Sequence, residues 1–209
     1  NFFRRSKSAS GIWDANDFMS RGFCTHSAGF QALPFCPHCL VTASNHQFVI
    51  QPSRLMMSPI EVSDSPPCCA AVIHLTVPCE RMREEMQSAI DELIATVTAQ
   101  RIGPAGPMFS HHSRCDPALF DFDLGIPISS PVIPTGRVTL GELPAARVVR
   151  SVYTGPYDGL GEAWGAFMTQ VQAAGHTLAG NFWERYLTHP DSEAEPNAYQ
   201  TELNVVLHR

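Results

Sequence analysis

Positions 70 to 77 read Ala-Ala-Val-Ile-His-Leu-Thr-Val, a β-branched and apolar run that predicts a strand. Pro78 then suits the first turn of a helix, where its missing N–H would have no intrahelical partner. As far as Gln100, the residues Met82, Met86, Ala89, Ile90, Leu93, Ile94 and Val97 recur at steps of three and four, with Glu84, Glu85, Asp91 and Glu92 on other faces. That spacing predicts an amphipathic helix with one packed face. The turn Gly103-Pro104-Ala105-Gly106-Pro107 is followed by predicted strands over 108–112 and 119–128.

The same four elements then recur in the same order. A strand is predicted over 146–153 and a helix over 157–174, with Leu160, Trp164, Phe167, Met168 and Val171 at helical spacing and Gly175 as its stop. Strands over 181–188 and 198–208 complete the set. Landmarks agree with the order: Gly106-Pro107-Met108-Phe109 matches Gly180-Asn181-Phe182-Trp183 at an offset of 74, and Phe122-Asp123-Leu124 matches Thr201-Glu202-Leu203 at 79. One loop insertion accounts for the drift. The expectation is an α+β fold of duplicated βαββ units related by a pseudo-two-fold axis, with antiparallel sheets, one long helix per half and a central ligand cleft. The halves fall at about 68–128 and 145–208 of a domain over 58–209, joined by the Pro- and Gly-rich stretch Ser129 to Pro144, too short to separate independent domains.

Residues 1–57 sustain no helical or strand period and read as an appendage. Met57-Ser-Pro looks like a natural start, so what precedes it reads as an extension. Within it, Cys36-Pro-His-Cys39, with His26 and His46 nearby, is half of a zinc pattern without a second ligand pair at suitable spacing, so no metal is expected. Seven cysteines, an odd number that includes the adjacent Cys68 and Cys69, do not form the pattern of a secreted disulfide framework, and a cytoplasmic location is expected. Cys68, Cys69 and Cys79 are given packing roles. No apolar run is long enough to span a bilayer.

Charge narrows the function. The first 57 residues carry five basic and two acidic residues, whereas 58–209 carries nine arginines and eighteen carboxylates. An acidic body of this kind argues against nonspecific binding to phosphate backbones, and direct nucleic-acid binding is not expected. The only lysine is Lys7, which removes Schiff-base and P-loop chemistry from the body. No G-x-S-x-G or G-x-G-x-x-G pattern is present, so serine hydrolases and dinucleotide enzymes rank low.

Three motifs in order carry a family likeness: Tyr153-Thr154-Gly155-Pro156-Tyr157 leading into a helix, Phe182-Trp183-Glu184-Arg185-Tyr186-Leu187 ahead of Pro190, and Thr201-Glu202-Leu203. Together they resemble the GyrI-like small-molecule-binding domain, which also forms the effector-binding part of some AraC-type and MerR-type multidrug regulators. The resemblance covers roughly residues 68 to 208. It implies the duplicated βαββ fold and a cleft lined by aromatics around an acidic residue, which Glu184 matches. Residues 1–57 are too short for the usual AraC-type DNA-binding region.

Strand alternation places Phe182, Glu184 and Tyr186 on one sheet face and Trp183, Arg185 and Leu187 on the other. The candidate ligand-binding set is Glu184, Tyr186, Trp183, Phe182, Tyr157, Tyr153, Phe109, His111 and Phe122. The expected function is binding of small amphipathic or cationic organic molecules without a cofactor, for sensing or sequestration, since a carboxylate among rings attracts a cation. One alternative is a cofactor-free hydrolase of reactive, cyclopropanoid-type electrophiles, with Glu184 as general base and Tyr186 as donor. Another is a gyrase-inhibitor-like module with a protein partner. A structural role for Glu184, paired with Arg147 or Arg150, competes with all three.

Overall fold

In the computed structural model, the described residues are 55–78, 81–113, 119–188 and 195–208. The candidate zinc ligands and Cys79 lie outside them. In chain order the elements are β1 (Met56–Met57), β2 (Glu61–Ser65), β3 (Cys68–Pro78), α1 (Met82–Gln100), β4 (Phe109–His112), β5 (Leu119–Pro127), β6 (Thr139–Leu143), β7 (Ala146–Thr154), α2 (Leu160–Ala173), β8 (Leu178–Tyr186) and β9 (Gln200–Leu207). Short 3-10 turns precede α2 at Tyr157–Gly159 and β9 at Pro196–Ala198. The strands form one antiparallel sheet in the order β1-β7-β9-β8-β4-β5-β3-β6, with β2 also on β7. From the centre outwards, one half runs β4, β5, β3 and the other β8, β9, β7. Each half therefore places its second strand at the junction and its first strand outermost.

Two short connections force this sheet to curl. Only Pro144 and Ala145 separate β6 from β7, and only Pro66 and Pro67 separate β2 from β3. If the sheet were flat, the six strand spacings between β6 and β7 would hold them about 29 Å apart. The chain from Leu143 to Ala146 reaches no further than about 11 Å. The ends of the sheet must therefore approach each other, and the cluster of Ala70, Val72, Phe109, Leu143, Val148, Trp183 and Val206 fills the inside of the curl.

The helices cover the other face. In α1 the positions Met82, Met86, Ala89, Ile90, Leu93 and Val97 are buried and Ile94 half-buried, as the sequence period predicts. They pack with Ile73, Leu75 and Leu124 in the main core. In α2 Leu160, Phe167, Met168 and Val171 are buried, and Gly175 follows with φ 75°, a left-handed stop that suits glycine.

Four features differ from expectation. Pro78 ends β3 instead of opening α1. The stretch 129–144 is no bare linker: it contains β6, paired with β3, and buries Val132 and Val138. Met56–Met57 and Glu61–Ser65 add strands along β7, with Met57 opposite Tyr153 and Glu61 opposite Arg150. Short edge strands like these carry little period of their own and are defined by the strand they join. Finally, β8 begins earlier than expected, with a register irregularity between Leu178 and Phe182.

The inner cluster sets a steric limit at Gly125, where an added Cβ would collide with the Phe109 ring. Gly125→Ala should cost about 1–3 kcal/mol in urea denaturation. Gly161→Ala, at an exposed position of α2 where an added Cβ meets nothing among the described residues within 4 Å, should stabilise by about 0.5–1 kcal/mol.

Candidate functional site

The centre of the sheet is the β4–β8 ladder, in which Ser110 faces Glu184, His111 faces Trp183 and His112 faces Phe182. Alternation sends Ser110, His112, Phe182, Glu184 and Tyr186 to the helix side and Phe109, His111, Trp183 and Arg185 to the inside of the curl. On β9 the opposed residues follow suit: Thr201 faces Tyr186 and Leu203 faces Glu184.

Glu184 is only 5% exposed. Its Oε1 accepts a hydrogen bond from the Trp164 indole N–H of α2 at 2.6 Å, and its Oε2 accepts one from the Tyr186 hydroxyl at 2.8 Å. The Tyr186 oxygen is also hydrogen-bonded to Ser110 Oγ at 3.1 Å. Both donors to the carboxylate are neutral. Burial raises the Glu184 pKa above the usual carboxylate value, and the bonds from Trp164 and Tyr186 offset only part of that. Burial and the neighbouring Glu184 charge push the Tyr186 hydroxyl well up, and burial does the same to Tyr157. Neither phenol ionises near neutral pH.

Rings surround this group. Tyr157 stands edge-on to Tyr186 at 6.0 Å and lies 5.4 Å from Tyr199. Trp164 meets Phe182 at 5.1 Å and Phe167 at 5.6 Å, both edge-on. Phe182 stacks on His112 at 4.7 Å with planes 3° apart, and His112 stacks on Phe122 at 4.9 Å. Phe122, His112, Phe182 and Trp164 thus form a continuous row that ends on the carboxylate. Burial, reinforced by His111, lowers the His112 pKa to about 3, so its ring is neutral and behaves as one more aromatic.

The inside of the curl has different chemistry. Trp183 is fully buried against Phe109, and His111 meets its ring edge-on at 5.8 Å. Glu202 is 8% exposed and lies 3.5 Å from Arg185 and 3.8 Å from Arg150; Arg150 also holds Glu61 at 3.2 Å. Glu202 is thus an ion-paired residue of an interior strand and not a solvated edge charge. Arg147 pairs with Asp64 at 3.8 Å. Arg150 is therefore engaged across the sheet from Glu184, and Arg147, on the same face as Glu184 by alternation, is engaged by Asp64 at the exposed β2–β7 pairing. His74 bridges Asp123 at 2.8 Å and Asp121 at 3.1 Å. A cavity of about 600 Å³ opens beside β1 and β7, between Leu55, Met57, Val152 and Leu187. Val152 and Leu187 alternate to the face away from Glu184 while Leu55 and Met57 pack against the main core, so it lies at the β1 edge of the sheet, and Glu184 does not line it.

Of the nine candidate residues, Glu184, Tyr186, Phe182, Tyr157 and Phe122 come together on the helix side. Tyr153 lies on that side too, but its hydroxyl donates to the Pro156 carbonyl at 3.0 Å. Trp183, Phe109 and His111 are across the sheet. Sequence reasoning passed over Trp164, read only as helix packing, and over Ser110 and Tyr199. The offset of 74 held a signal for Ser110, since it makes Ser110 the counterpart of Glu184. Nothing local to α2 points Trp164 at Glu184. Cys69 is exposed and Cys68 half-buried, so only Cys68 has the packing role expected of both. Among the described residues, no three or more His, Cys, Asp or Glu side chains are grouped to hold a metal ion, and no helix is long and apolar enough to cross a membrane.

Residues 58–206 match the family model described as GyrI-like small molecule binding domain. No curated protein sequence matches the chain. Among solved structures, the EcmrR C-terminal domain superposes with a TM-score of 0.57 at 17% identity, covering 72% of this chain and 98% of that one. In the EcmrR–DNA complex, also at 0.57 and 17%, the match spans only 57% of the EcmrR chain. SAV2435 bound to tetraphenylphosphonium gives 0.56 at 10% identity, over 72% of this chain and 94% of that one. At these identities the likeness is one of fold.

The raised pKa of Glu184 carries a sign. The folded protein holds this proton to higher pH than the unfolded chain does, so stability is lost as pH rises through and above the ordinary carboxylate value of 4.5. Glu184→Gln cannot titrate and should gain on the wild type as pH rises. Urea denaturation of both proteins at about pH 4 and about pH 7.5 reads the difference, and a gap independent of pH would contradict it.

Proposed function

The chain belongs to the GyrI-like small-molecule-binding family, and from that premise we propose that it binds small amphipathic organic cations on the helix side of its sheet, with Glu184 as the anchor. The observation that carries this is the pairing of Glu184. Among the described residues, a carboxylate that is 5% exposed has two neutral donors, Trp164 and Tyr186, while Arg147 and Arg150 pair elsewhere. A buried charge with only neutral partners is incompletely compensated. An organic cation would complete it, and the rings of Phe182 and Tyr157 would add cation–π attraction of about 0.5–2 kcal/mol. SAV2435, similar in fold, holds the aromatic cation tetraphenylphosphonium, the same ligand class.

In this proposal Tyr186 and Ser110 orient the carboxylate, and Phe122 and His112 back the aromatic wall. Trp183, Phe109 and His111 act from across the sheet as packing. The two hydrogen bonds from Trp164 and Tyr186 suit a carboxylate held as a charged anchor, so the reading is binding without turnover, for sensing or sequestration.

Titration calorimetry with a lipophilic aromatic cation and a neutral molecule of the same shape tests the proposal. Glu184→Gln should weaken the cation by about tenfold or more, as expected for loss of a charge-assisted contact of about 1.5–3 kcal/mol, and leave the neutral molecule nearly unchanged. Equal loss for both ligands, or a covalently altered product by mass spectrometry, would overturn it.

A further inference from the structure

We infer that the Trp164 indole is a resident stand-in for the ligand: it occupies the site with its own ring and N–H donor, and a ligand enters by exchange with it. This deepens the reading of Glu184 as a ligand-binding carboxylate and rests on it.

The two donors to Glu184 are unequally held. Tyr186 belongs to the central strand β8, is 1% exposed and is tied to both Glu184 and Ser110. It cannot leave without disturbing the ladder. Trp164 projects from α2, is half-buried and makes one hydrogen bond, to Glu184 Oε1 at 2.6 Å. It is the member of the group that reaches from solvent to the carboxylate. Among the described residues, and apart from their chain neighbours, Gly161, one turn earlier, and Gly165, the next residue, have nothing within 4 Å of where a Cβ would stand. An indole that swings off Glu184 meets no side chain of the described residues at either glycine.

The space it vacates has a definite chemistry. Its walls are Phe182 and Phe167, edge-on at 5.1 and 5.6 Å, and its end is Oε1 of a carboxylate that faces the donor. A flat, bicyclic aromatic molecule carrying an N–H donor at its rim fits that description. Such a ligand keeps the hydrogen bond that Trp164 gives up, whereas a ring of equal size without a donor leaves Oε1 unpaired in a buried site, which is costly. Displacement also competes with an intramolecular contact of high effective concentration, so the native indole weakens binding of any ligand.

Indole and 1-methylindole, equal in charge and close in shape, differ in the one group that matters. The test uses the full chain as wild type and as Trp164→Ala, with circular dichroism and a cooperative melt to establish folding. Trp164→Ala should bind indole at least about tenfold tighter than 1-methylindole and at least about tenfold tighter than the wild type does, with a matching rise in melting temperature. Trp164→Leu, which keeps apolar cover over Phe167 and Phe182, is read for the same preference if the alanine variant does not fold. Equal binding of the two probes to a folded variant, or no gain over the wild type, would sink the exchange. The two ideas fail separately. If cationic and neutral probes of one shape bind alike while indole keeps its advantage, charge recognition is wrong and the exchange stands; the opposite pattern removes the exchange alone.

Discussion

The fold and the site both depend on the ladder between β4 and β8, and within it on the pair Ser110 and Glu184. The offset of 74 that relates Phe109 to Trp183 also relates Ser110 to Glu184, so these two are counterparts in the repeated order and partners across the strands. No other pair in that ladder is both. The two halves therefore meet at this point, edge to edge, through backbone hydrogen bonds that continue the sheet. Carboxylates at both positions would face each other across neighbouring strands, and like charges so placed repel. One hydroxyl and one carboxylate avoid this. The departure from symmetry is what allows a single acid, braced through Tyr186 by the serine opposite, to occupy the middle of a buried sheet.

Closure of the sheet supplies the second constraint. Because two-residue links tie β2 to β3 and β6 to β7, the face away from the helices is wrapped on itself and needs its own filling. Trp183 and Phe109, counterparts at the same offset, provide it, and Gly125 leaves room for the phenylalanine ring. These large aromatics are consumed by packing, which explains why two of the most prominent rings in the motif region stand apart from the acid beside them in sequence. Adjacent strand residues point to opposite faces, so Trp183 and Glu184 serve different cores.

Charge is sorted by the same alternation. Arg150, Arg185, Glu202 and Glu61 make a network on the inner side of the sheet, and His74 sits between Asp121 and Asp123 on that side too. The helix side at the junction keeps Glu184 with partners that carry no charge. Had Arg150 stood one position earlier or later on β7, its guanidinium would have pointed to the helix side, where the acid lies. The incompletely compensated carboxylate is thus a consequence of register, and the ligand chemistry follows from it.

Much of this was present in local pattern. The period of α1, the order of strands and helices repeated in both halves, the alternation that groups Phe182, Glu184 and Tyr186, and the family motifs are all properties of neighbouring residues, for which the backbone period alone dictates the facing. Local pattern did not extend to β1, β2 and β6, short edges that take their structure from the strands they join, nor to the curl, which arises from the length of two links measured against the width of a whole sheet. It also left open the partners of Glu184. Trp164 lies twenty residues earlier on a helix, and only the packing of α2 over the β4–β8 ladder brings its indole N–H to the carboxyl group; Ser110, seventy-four residues earlier on another strand, reaches the Tyr186 hydroxyl through that ladder. Sequence determines which way a side chain points from its own element; which side chain it meets depends on where the elements are placed, and that is a property of the assembled sheet.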